Sequence, residues 1–329
     1  MYWIRYFSLI KFFNAFKILI SYFISIVCKR VFLWGKPISL TVEPTNYCNL
    51  HCPECPTGNN SSRREKGYLR ISDYKNIIDT LSPWLFYQMI YFQGEPFLHP
   101  QIFNIITYAH QQKIYTCTST NGHFITHENA QKIIESGLDE IIISVDGVNQ
   151  ETYEKYRKGG ELQKVISGIK ILSNLKKKYH TKHPKIIIQF LVFRFNEHQI
   201  KEIKSLGKSI GANKIELKTA QIESVNDKLD LLPLNNRYSR YTSKNNQTLI
   251  KNKLKNRCFR IWSTIVTTWN GDVIPCCFDK NADHKMGNMH KNNLLQIWQS
   301  SGFNHFRYQI LRNRKRIKMC NNCTSGLRI

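Results

Sequence analysis

Three cysteines lie close together in the segment "TVEPTNYCNLHCPECPTG" (41–58), at Cys48, Cys52 and Cys55. Thiolates ligate the iron of iron–sulfur clusters, and a 4Fe–4S cluster held by three thiolates keeps one iron open to a substrate or cofactor. Structural zinc usually takes four ligands, commonly from paired CxxC motifs, so Cx3CxxC fits zinc poorly unless His51 joins. A purely structural thiol cluster is the remaining alternative. The spacing therefore indicates an iron–sulfur site with an open iron.

A second cysteine group lies near the C-terminus. Its members are Cys258, Cys276, Cys277, Cys320 and Cys323, the last two forming a CxxC motif. In a reducing compartment such groups indicate metal sites rather than disulfides. By spacing alone, a four-cysteine zinc ribbon and an iron–sulfur cluster fit this group equally well. The isolated thiols Cys28 and Cys117 are interpreted as buried, the more common environment of a lone cysteine.

The segments that must position these thiols alternate between two hydrophobic patterns. Apolar runs rich in β-branched residues predict strands at 38–43, 89–93, 115–119, 140–145, 185–192 and 214–219. Helical periodicity predicts helices near 72–86, 100–112, 127–137, 163–179 and 197–210. This alternation predicts a parallel sheet with helical crossovers, and the strands are apolar on both faces, as in buried parallel sheets. The expected fold class is α/β, a partial (β/α)6 TIM-like barrel with a small C-terminal domain.

The pattern changes beyond residue 228. The sequence predicts a basic hydrophobic helix over 1–35, the barrel over 36–228, a polar linker over 229–257 and a small domain over 258–329. In the last of these, Asn270-Gly271 joins two β-runs and predicts a hairpin.

The N-terminal helix contains Arg5, Lys11 and Lys17, which do not share one helical face. Its longest uncharged run, 18–28, is about half of what a membrane span needs. Three interpretations stay open: a basic helix at the inner membrane surface, a helix docked on its own domain, and a membrane span.

The 329-residue chain has a net charge of +25, from 48 Lys and Arg against 23 Asp and Glu. Such a balance favours polyanionic partners such as nucleic acid or anionic lipid. A lysine-rich proteome explains it equally well. The basic clusters at 176–185 and 312–318 carry no interleaved aromatic residues of the kind that bind single-stranded nucleic acid, so nucleic acid is an unlikely partner.

The Cx3CxxC motif after a first β-run resembles that of the radical S-adenosylmethionine (SAM) enzymes. The resemblance covers about 36–225 and is strengthened by three motifs that follow later strands, "QGEP" (93–96), "STNG" (119–122) and "SVDG" (144–147). Barrel enzymes place their chemistry at these strand ends. One position departs from the family: an aromatic residue often precedes the third cysteine, whereas this chain has Glu54. The departure concerns the adenine contact rather than the cluster.

The resemblance implies roles for individual residues. Cys48, Cys52 and Cys55 would hold a 4Fe–4S cluster whose open iron chelates SAM. Gly94 and Glu95 would meet the SAM amino group, Ser144 and Arg157 its carboxylate, and Ser119 and Asn121 would lie near the ribose. A guanidinium matches a carboxylate in geometry and charge, although Arg157 could equally be a surface arginine. Weaker candidates for the nucleoside are Gln189, Val192 and Asn196.

The C-terminal pattern, Cys-x12-Gly-x4-Cys followed by a cysteine pair, resembles the SPASM or shorter twitch domain of radical SAM enzymes. The family uses the hairpin between Cys258 and Cys276 to bring ligands together. The full SPASM pattern has more cysteines than this chain, so one auxiliary 4Fe–4S cluster is expected, with ligands Cys258, Cys276, Cys320 and Cys323. Cys277 would be spare, or could exchange with Cys276.

The resemblance implies a radical SAM oxidoreductase that cleaves SAM to a 5′-deoxyadenosyl radical and removes hydrogen from a substrate, with the auxiliary cluster as electron acceptor. The expected reaction is dehydrogenation of a sugar-like or membrane-associated small molecule. The expected partners are SAM and a low-potential electron donor such as flavodoxin or ferredoxin. The expected location is cytoplasmic, with a peripheral contact to the inner face of the membrane.

Two other functions remain open. One is a peptide- or protein-modifying maturase, which is less favoured because only the basic helix precedes the barrel. The other is an RNA-binding or RNA-modifying protein with a C-terminal zinc ribbon. The sequence does not identify the catalytic acid or base; Glu216, Lys218, Glu223 and Asp279 are candidates by position only.

Overall fold

The computed structural model describes residues 5–222, 225–244, 247–251 and 254–323. The helices and strands, in chain order, are α1 (Leu9–Cys28), β1 (Ser39–Val42), α2 (Ile71–Leu81), β2 (Tyr87–Met89), α3 (Ile102–Gln111), β3 (Tyr115–Thr120), α4 (His127–Glu135), β4 (Glu140–Ser144), α5 (Gln150–Tyr156), α6 (Leu162–Lys178), β5 (Lys185–Val192), α7 (Ile200–Ser209), β6 (Lys214–Thr219), β7 (Tyr241–Lys244), β8 (Gln247–Ile250), α8 (Arg260–Ser263), β9 (Thr264–Thr267), β10 (Asp272–Ile274), β11 (Gly287–Asn288), α9 (Leu294–Trp298) and α10 (Ser301–Asn313).

The chain divides into two compact units. The first unit comprises Met1–Tyr47, Ser62–Cys117 and Leu254–Cys323, and the second comprises Cys48–Ser61 and Thr118–Lys253. The first cysteine loop therefore belongs to the second unit, and the C-terminal cysteines belong to the first.

In the first unit, β1 is the central element of the sheet. It pairs in parallel with β2 on one side and with β9 on the other, so that Leu40 is opposite both Gln88 and Ile265. Strand β2 pairs in parallel with the start of β3, whereas β10 and β11 add antiparallel strands beyond β9. The predicted hairpin is present: β9 and β10 flank Gly271, which has φ +81°. Its first strand extends the parallel sheet of the same unit.

In the second unit, β4, β5 and β6 form a parallel sheet joined by helical crossovers. Ile141, Ile143, Ile186 and Ile188 are fully buried, as expected for parallel strands covered on both faces. These parallel strands with helical crossovers confirm the predicted α/β class. Within the interval predicted as a linker, β7 and β8 form an antiparallel hairpin.

A buried lysine lies beside this sheet. The Lys176 ammonium donates to Asn213 Oδ1 at 3.0 Å, and the same oxygen also accepts the Ile186 N–H at 2.8 Å. Burial lowers the pKa of Lys176 to about 8.

Two predicted elements differ in extent, and one helix was not predicted. The helix predicted over 72–86 ends at Leu81, because Pro83 has no N–H to continue it. The strand predicted over 89–93 is β2 at Tyr87–Met89; Ile90 adds one bond to the Cys117 carbonyl before the chain turns at Gly94. Helix α5 was not predicted, although Asn149 is a good N-cap, and its side chain accepts the Thr152 N–H.

Candidate functional site

The first cysteine loop folds against an apolar wall of the second unit. Cys52 is buried in a cluster with Leu50, Tyr156, Phe193 and other apolar side chains, and Cys48 and Cys55 pack against the same cluster while partly exposed. The loop turns through a bond from Cys55 N–H to Cys52 C=O, at 3.2 Å. The fold thus presents the three predicted thiols from one short loop, with one face toward apolar residues.

Arg157 links this loop to the end of β4. Its Nε donates to Asp146 Oδ2 at 2.6 Å, and its Nη1 lies 3.7 Å from the Cys52 sulfur. The Asp146 carboxylate is fully buried, and its other oxygen accepts the Leu191 N–H at 2.7 Å. Burial raises the pKa of both the Asp146 carboxyl and the Cys52 thiol, and the positive charge of Arg157 opposes both shifts. Arg157 is therefore anchored beside the cysteines rather than being a free surface arginine.

Asp146 is a site residue that the sequence interpretation left unassigned. It lies in "SVDG", directly after the apolar strand β4, and a carboxylate at such a position was the available signal. Its backbone carbonyl accepts from Asn196 Nδ2, whose second bond goes to the Leu191 carbonyl. Asn196 Oδ1 accepts the Phe193 N–H, so this weaker nucleoside candidate is engaged in holding the backbone.

The other predicted residues of the second unit lie at strand ends, as the motifs suggested. Ser119 is half-buried near the end of β3, and Ser144 is the buried last residue of β4. Asn121 Nδ2 donates to Asn49 Oδ1 at 2.7 Å, which ties the strand end to the cysteine loop. The fold thus brings Asn121 together with the cysteine loop.

Glu54, the residue that departs from the family pattern, is buried and forms an ion pair with Lys228. Burying an unpaired carboxylate costs several kcal/mol, so a cation beside it is needed in this environment. The pair fills the position at which relatives often have an aromatic residue.

Gly94 and Glu95 belong to the first unit and hold the backbone that leads into the cysteine loop. Gly94 has φ +75°, and a Cβ there would lie 2.6 Å from the carbonyl oxygens of both Thr45 and Tyr47. The Glu95 N–H donates to the Tyr47 carbonyl at 2.7 Å. The Glu95 carboxylate accepts the Phe97 N–H at 3.1 Å and caps a short 3-10 helix. A glycine is required because the two backbone segments approach so closely.

A buried ion pair between Glu43 and Arg64 was also missed. The guanidinium binds both carboxylate oxygens, with Nη1 2.9 Å from Oε1 and Nη2 donating to Oε2. Oε2 also accepts the Trp269 N–H from the β9–β10 turn, at 3.1 Å. Glu43 thereby ties Arg64 and the β9–β10 turn to the end of β1. Its sequence signal was a carboxylate immediately after an apolar strand.

The C-terminal cysteines form a second cluster of thiols, within the first unit. Cys258, Cys276, Cys320 and Cys323 are all buried. Burial raises the pKa of Cys258, and the neighbouring thiols of Cys276 and Cys323 add to the shift. Burial also raises the pKa of Cys320 to about 12, and Cys276 and Cys323 again add to it. Cys258 and Cys320 thus each lie near both Cys276 and Cys323.

Two arginines supply positive charge to this group. Arg314 Nη2 lies 3.3 Å from the Cys323 sulfur, and Arg260 Nη1 lies 2.6 Å from the Cys277 sulfur. A hydrogen bond with Cys276 lowers the pKa of Cys277 to about 7, and Arg260 adds to the effect. Cys277 is therefore held by Arg260 at the margin of the thiol cluster.

The remaining thiols and the acid–base candidates have mixed outcomes. Cys117 is buried as predicted, but Cys28 is exposed, because it lies on the outer side of the last turn of α1. Glu216 is paired with Lys214 and Lys218. The two oxygens of Asp279 accept the N–H groups of Asp283 and His284 at 2.9 Å each, so Asp279 closes its own loop. Glu223 lies outside the described residues.

The donor sets fit iron–sulfur clusters. Among the described residues, no three His, Cys, Asp or Glu side chains converge on one point as the ligands of a single metal ion would. A four-iron cluster takes its thiolates on separate irons, so such convergence is not required. Each group contains at least one buried thiol and a guanidinium near a sulfur, which lowers the cost of thiolate charge.

The family of the chain follows from its match to known families. Residues 42–213 match the radical SAM superfamily, and residues 258–324 match the iron–sulfur cluster-binding SPASM domain. The chain belongs to the radical SAM superfamily, with a C-terminal SPASM domain. These domains imply 4Fe–4S clusters and SAM as cofactors, as predicted.

Curated relatives extend the comparison. An AdoMet-dependent heme synthase from Methanosarcina barkeri is 28% identical over 54% of this chain and 48% of its own length. Mycofactocin maturase MftC from Mycolicibacterium smegmatis is 31% identical over 54% of this chain and 43% of its own length. The chain thus spans about half the length of these two relatives. A Pyrococcus furiosus tungsten-containing aldehyde ferredoxin oxidoreductase cofactor-modifying protein is 26% identical over 82% of this chain and 83% of its own.

Solved structures share the fold. BtrN in complex with AdoMet and 2-DOIA has a TM-score of 0.57 and 20% identity, covering 88% of this chain and 93% of BtrN. Streptococcus suis SuiB bound to the precursor peptide SuiA has a TM-score of 0.64 and 15% identity, covering 90% of this chain and 72% of SuiB. These similarities confirm the predicted fold class.

Proposed function

We propose that this radical SAM enzyme dehydrogenates an alcohol carbon of a sugar-like or membrane-associated small molecule. The alcohol carbon loses a hydrogen atom, its hydroxyl loses a proton, and the remaining electron leaves for an internal acceptor as the carbonyl forms. When bound, the first cluster and SAM supply the hydrogen-abstracting 5′-deoxyadenosyl radical, and the auxiliary cluster supplies the electron acceptor. The initiating electron comes from a low-potential donor such as flavodoxin or ferredoxin.

The residues of the second unit hold and orient SAM. Cys48, Cys52 and Cys55 hold the first cluster from one loop. Arg157 binds the SAM carboxylate through the guanidinium edge that Asp146 does not occupy, with Ser144 beside it. Fixing Nε on a buried carboxylate orients the guanidinium before SAM arrives, which reduces the ordering cost of binding. Ser119 and Asn121 lie toward the ribose.

The backbone at Gly94 and Glu95 is the proposed contact of the SAM amino group. The auxiliary cluster is held by Cys258, Cys276, Cys320 and Cys323. Positive charge beside a cluster favours its reduced form, since net charge and hydrogen bonds to sulfur set its potential. Arg314 and Arg260 lie beside these thiols, and this arrangement is the observation that carries the proposal of an electron acceptor.

The proposal is tested with anaerobically reconstituted protein and three samples: wild type, the Cys48/Cys52/Cys55→Ala triple variant and a Cys320/Cys323→Ala variant. Wild type should hold about eight irons, and each variant about four. Only samples with the first cluster should form 5′-deoxyadenosine. With free, nucleotide-linked and lipid-linked sugars as candidate substrates, oxidised product with two hydrogens fewer should form in wild type alone. Zinc retained in the C-terminal module instead of iron would remove the electron acceptor and refute the dehydrogenase.

A second candidate is modification of a peptide or of another protein's cofactor. The relatives named as maturase and as cofactor-modifying protein favour it, as does the fold similarity to SuiB, whose structure contains a precursor peptide. The Cys320/Cys323→Ala variant does not separate the two candidates. A peptide product that forms where every sugar substrate stays unchanged would establish the second candidate.

A further inference from the structure

Helix α1 contacts the rest of the first unit through polar side chains together with Ile18 and Tyr22. Lys11 Nζ donates to the Lys113 carbonyl at 2.7 Å, and Asn14 exchanges two bonds with the Lys36 backbone, at 3.0 and 2.7 Å. The Ser25 hydroxyl accepts the Phe32 N–H at 2.9 Å. These directional bonds fix the rotation of α1 about its own axis.

The opposite side of α1 is apolar and exposed, whereas an ordinary amphipathic helix has its polar side toward solvent. The exposed apolar side chains on the helix are Leu9, Ile10, Phe12, Phe13, Phe16, Leu19, Phe23 and Val27. We call this set the apolar face of α1. Phe7 before the helix and Trp34 after it are also about half exposed. These ten are the majority of the exposed large apolar side chains among the described residues, so the patch is local rather than scattered.

Basic residues border the apolar face. Arg5, Lys17, Lys29 and Arg30 are exposed along or beside α1, and the sequence has no Asp or Glu before Glu43. A helix with an exposed aromatic face and flanking cations is typical of segments that lie in the interface of an anionic membrane.

A basic pocket adjoins the last turn of α1. It has a volume of about 340 Å³ and is lined by seven residues, among them Ile26, Lys29, Lys255, Arg257 and Arg312. Four of the lining side chains are cationic and none is acidic. Such a pocket suits a phosphate, and Ile26 joins it to the apolar helix.

We propose that the apolar face of α1 lies in the surface of an anionic phospholipid bilayer, with a lipid phosphate in the basic pocket. A second copy of the chain could cover the same apolar face, but it would bring the bordering cations against one another. Charge complementarity therefore selects an anionic surface. The expected location is peripheral, at the inner face of the cytoplasmic membrane.

The helix does not cross the bilayer in this arrangement. By length and composition α1 could span a membrane, but signal sequences near an N-terminus have the same properties. A third of its apolar window is buried inside the protein. Spanning would detach Lys11 and Asn14 from their backbone partners and place them in lipid, where unpaired polar groups are costly. The proposal does not depend on the reaction that the enzyme catalyses.

The test is flotation of the reconstituted full chain with phosphatidylcholine vesicles, with and without phosphatidylglycerol. A Phe13/Phe16/Phe23→Ser variant tests the apolar face, and its matched control is Tyr179/Leu234/Leu249→Ser, three exposed apolar side chains elsewhere. We expect about 100-fold weaker partitioning for the first and no change for the control.

The pocket is tested by a Lys255/Arg257/Arg312→Gln variant, with Lys201/Lys204/Lys208→Gln on α7 as the control of equal charge. The pocket variant should lose about 100-fold in partitioning to anionic vesicles, and the control clearly less. Competition by millimolar inorganic phosphate separates a free-anion site from a lipid site. Iron content and apparent melting temperature of every variant establish that each one folds.

Three results would overturn the proposal. Wild type could fail to float with anionic vesicles, or the Phe variant could float as well as wild type. Alternatively, wild type could be a dimer that the Phe variant dissociates, in which case a second copy covers the face. If inorganic phosphate occupies the pocket while flotation stays unchanged, the pocket binds a soluble phosphate rather than a lipid.

Discussion

The guanidinium of Arg157 has two tasks in the proposed site, and substitutions can separate them. One task is to neutralise the buried Asp146 carboxylate, and the other is to bind the SAM carboxylate. Arg157→Gln removes both functions. Asp146→Asn removes only the first, because Asn Oδ1 can still accept the Leu191 N–H and the guanidinium remains.

The magnitudes follow from burial and charge. Breaking a buried ion pair by removing one partner costs about 3–5 kcal/mol. Since the Arg157 side chain keeps 13% exposure, we expect about 3 kcal/mol for either variant. A charge-assisted hydrogen bond contributes about 1.5–3 kcal/mol, so Arg157→Gln should raise the Kd for SAM by about 10- to 100-fold. Asp146→Asn should raise it less than tenfold.

The assay is calorimetric titration of SAM into reconstituted protein under anaerobic conditions, with apparent Tm measured in parallel. Arg157→Lys completes the series, because an ammonium can reach one acceptor but cannot bridge two. Equal loss of stability in the Gln and Asn variants with an unchanged Kd for SAM in both would refute the reasoning. Arg157 would then be a structural partner of Asp146 alone.

Three further experiments test other parts of the structure. Gly94→Ala should lower the apparent Tm more than Gly122→Ala, because both have positive φ but only Gly94 faces backbone oxygens at 2.6 Å; equal losses would contradict this. Cys276→Ala should cost about four irons and Cys277→Ala almost none, measured by iron and sulfide content; the reverse would exchange their roles. Lys176→Met should stabilise the apoprotein by about 1 kcal/mol at pH 7, since burial penalises the ammonium and solvent screening reduces the penalty. The folded pKa of about 8 lies below the unfolded value, so wild-type stability rises with pH above 8, and the variant's advantage in Tm should vanish near pH 10.

Much of the fold could be predicted from hydrophobic periodicity. The buried isoleucine runs of β4 and β5 are apolar at nearly every position, and only a strand covered on both faces requires that. Helix α5 was missed because seven residues give too little periodicity, and its signal is a single capping asparagine. Boundaries set by one residue, such as Pro83 after α2, require attention to backbone chemistry rather than to pattern.

The site was predictable where the chemistry depends on residue type and local spacing. The cysteines and strand-end motifs are of that kind. Asp146 and Glu43 were missed because their roles depend on Arg157 and Arg64, which lie 11 and 21 residues away in the chain, and periodicity does not pair them. The usable signal is that a buried carboxylate must be neutralised. An acidic residue at the end of an apolar strand therefore predicts a cationic side chain beside it, although not which one.

The N-terminal helix shows why composition alone leaves its environment open. A helical wheel shows that the charges of α1 do not share a face, which speaks against a simple amphipathic anchor. In the structure Lys11 is buried on the protein side together with Asn14 and Ser25, and the exposed side is apolar. Lys11, whose charge interrupts the amphipathic pattern, is therefore used for docking, because its ammonium donates to the Lys113 carbonyl. Once Lys11 is assigned to that contact, the remaining residues of α1 have the apolar face and basic borders of a helix that lies on an anionic surface.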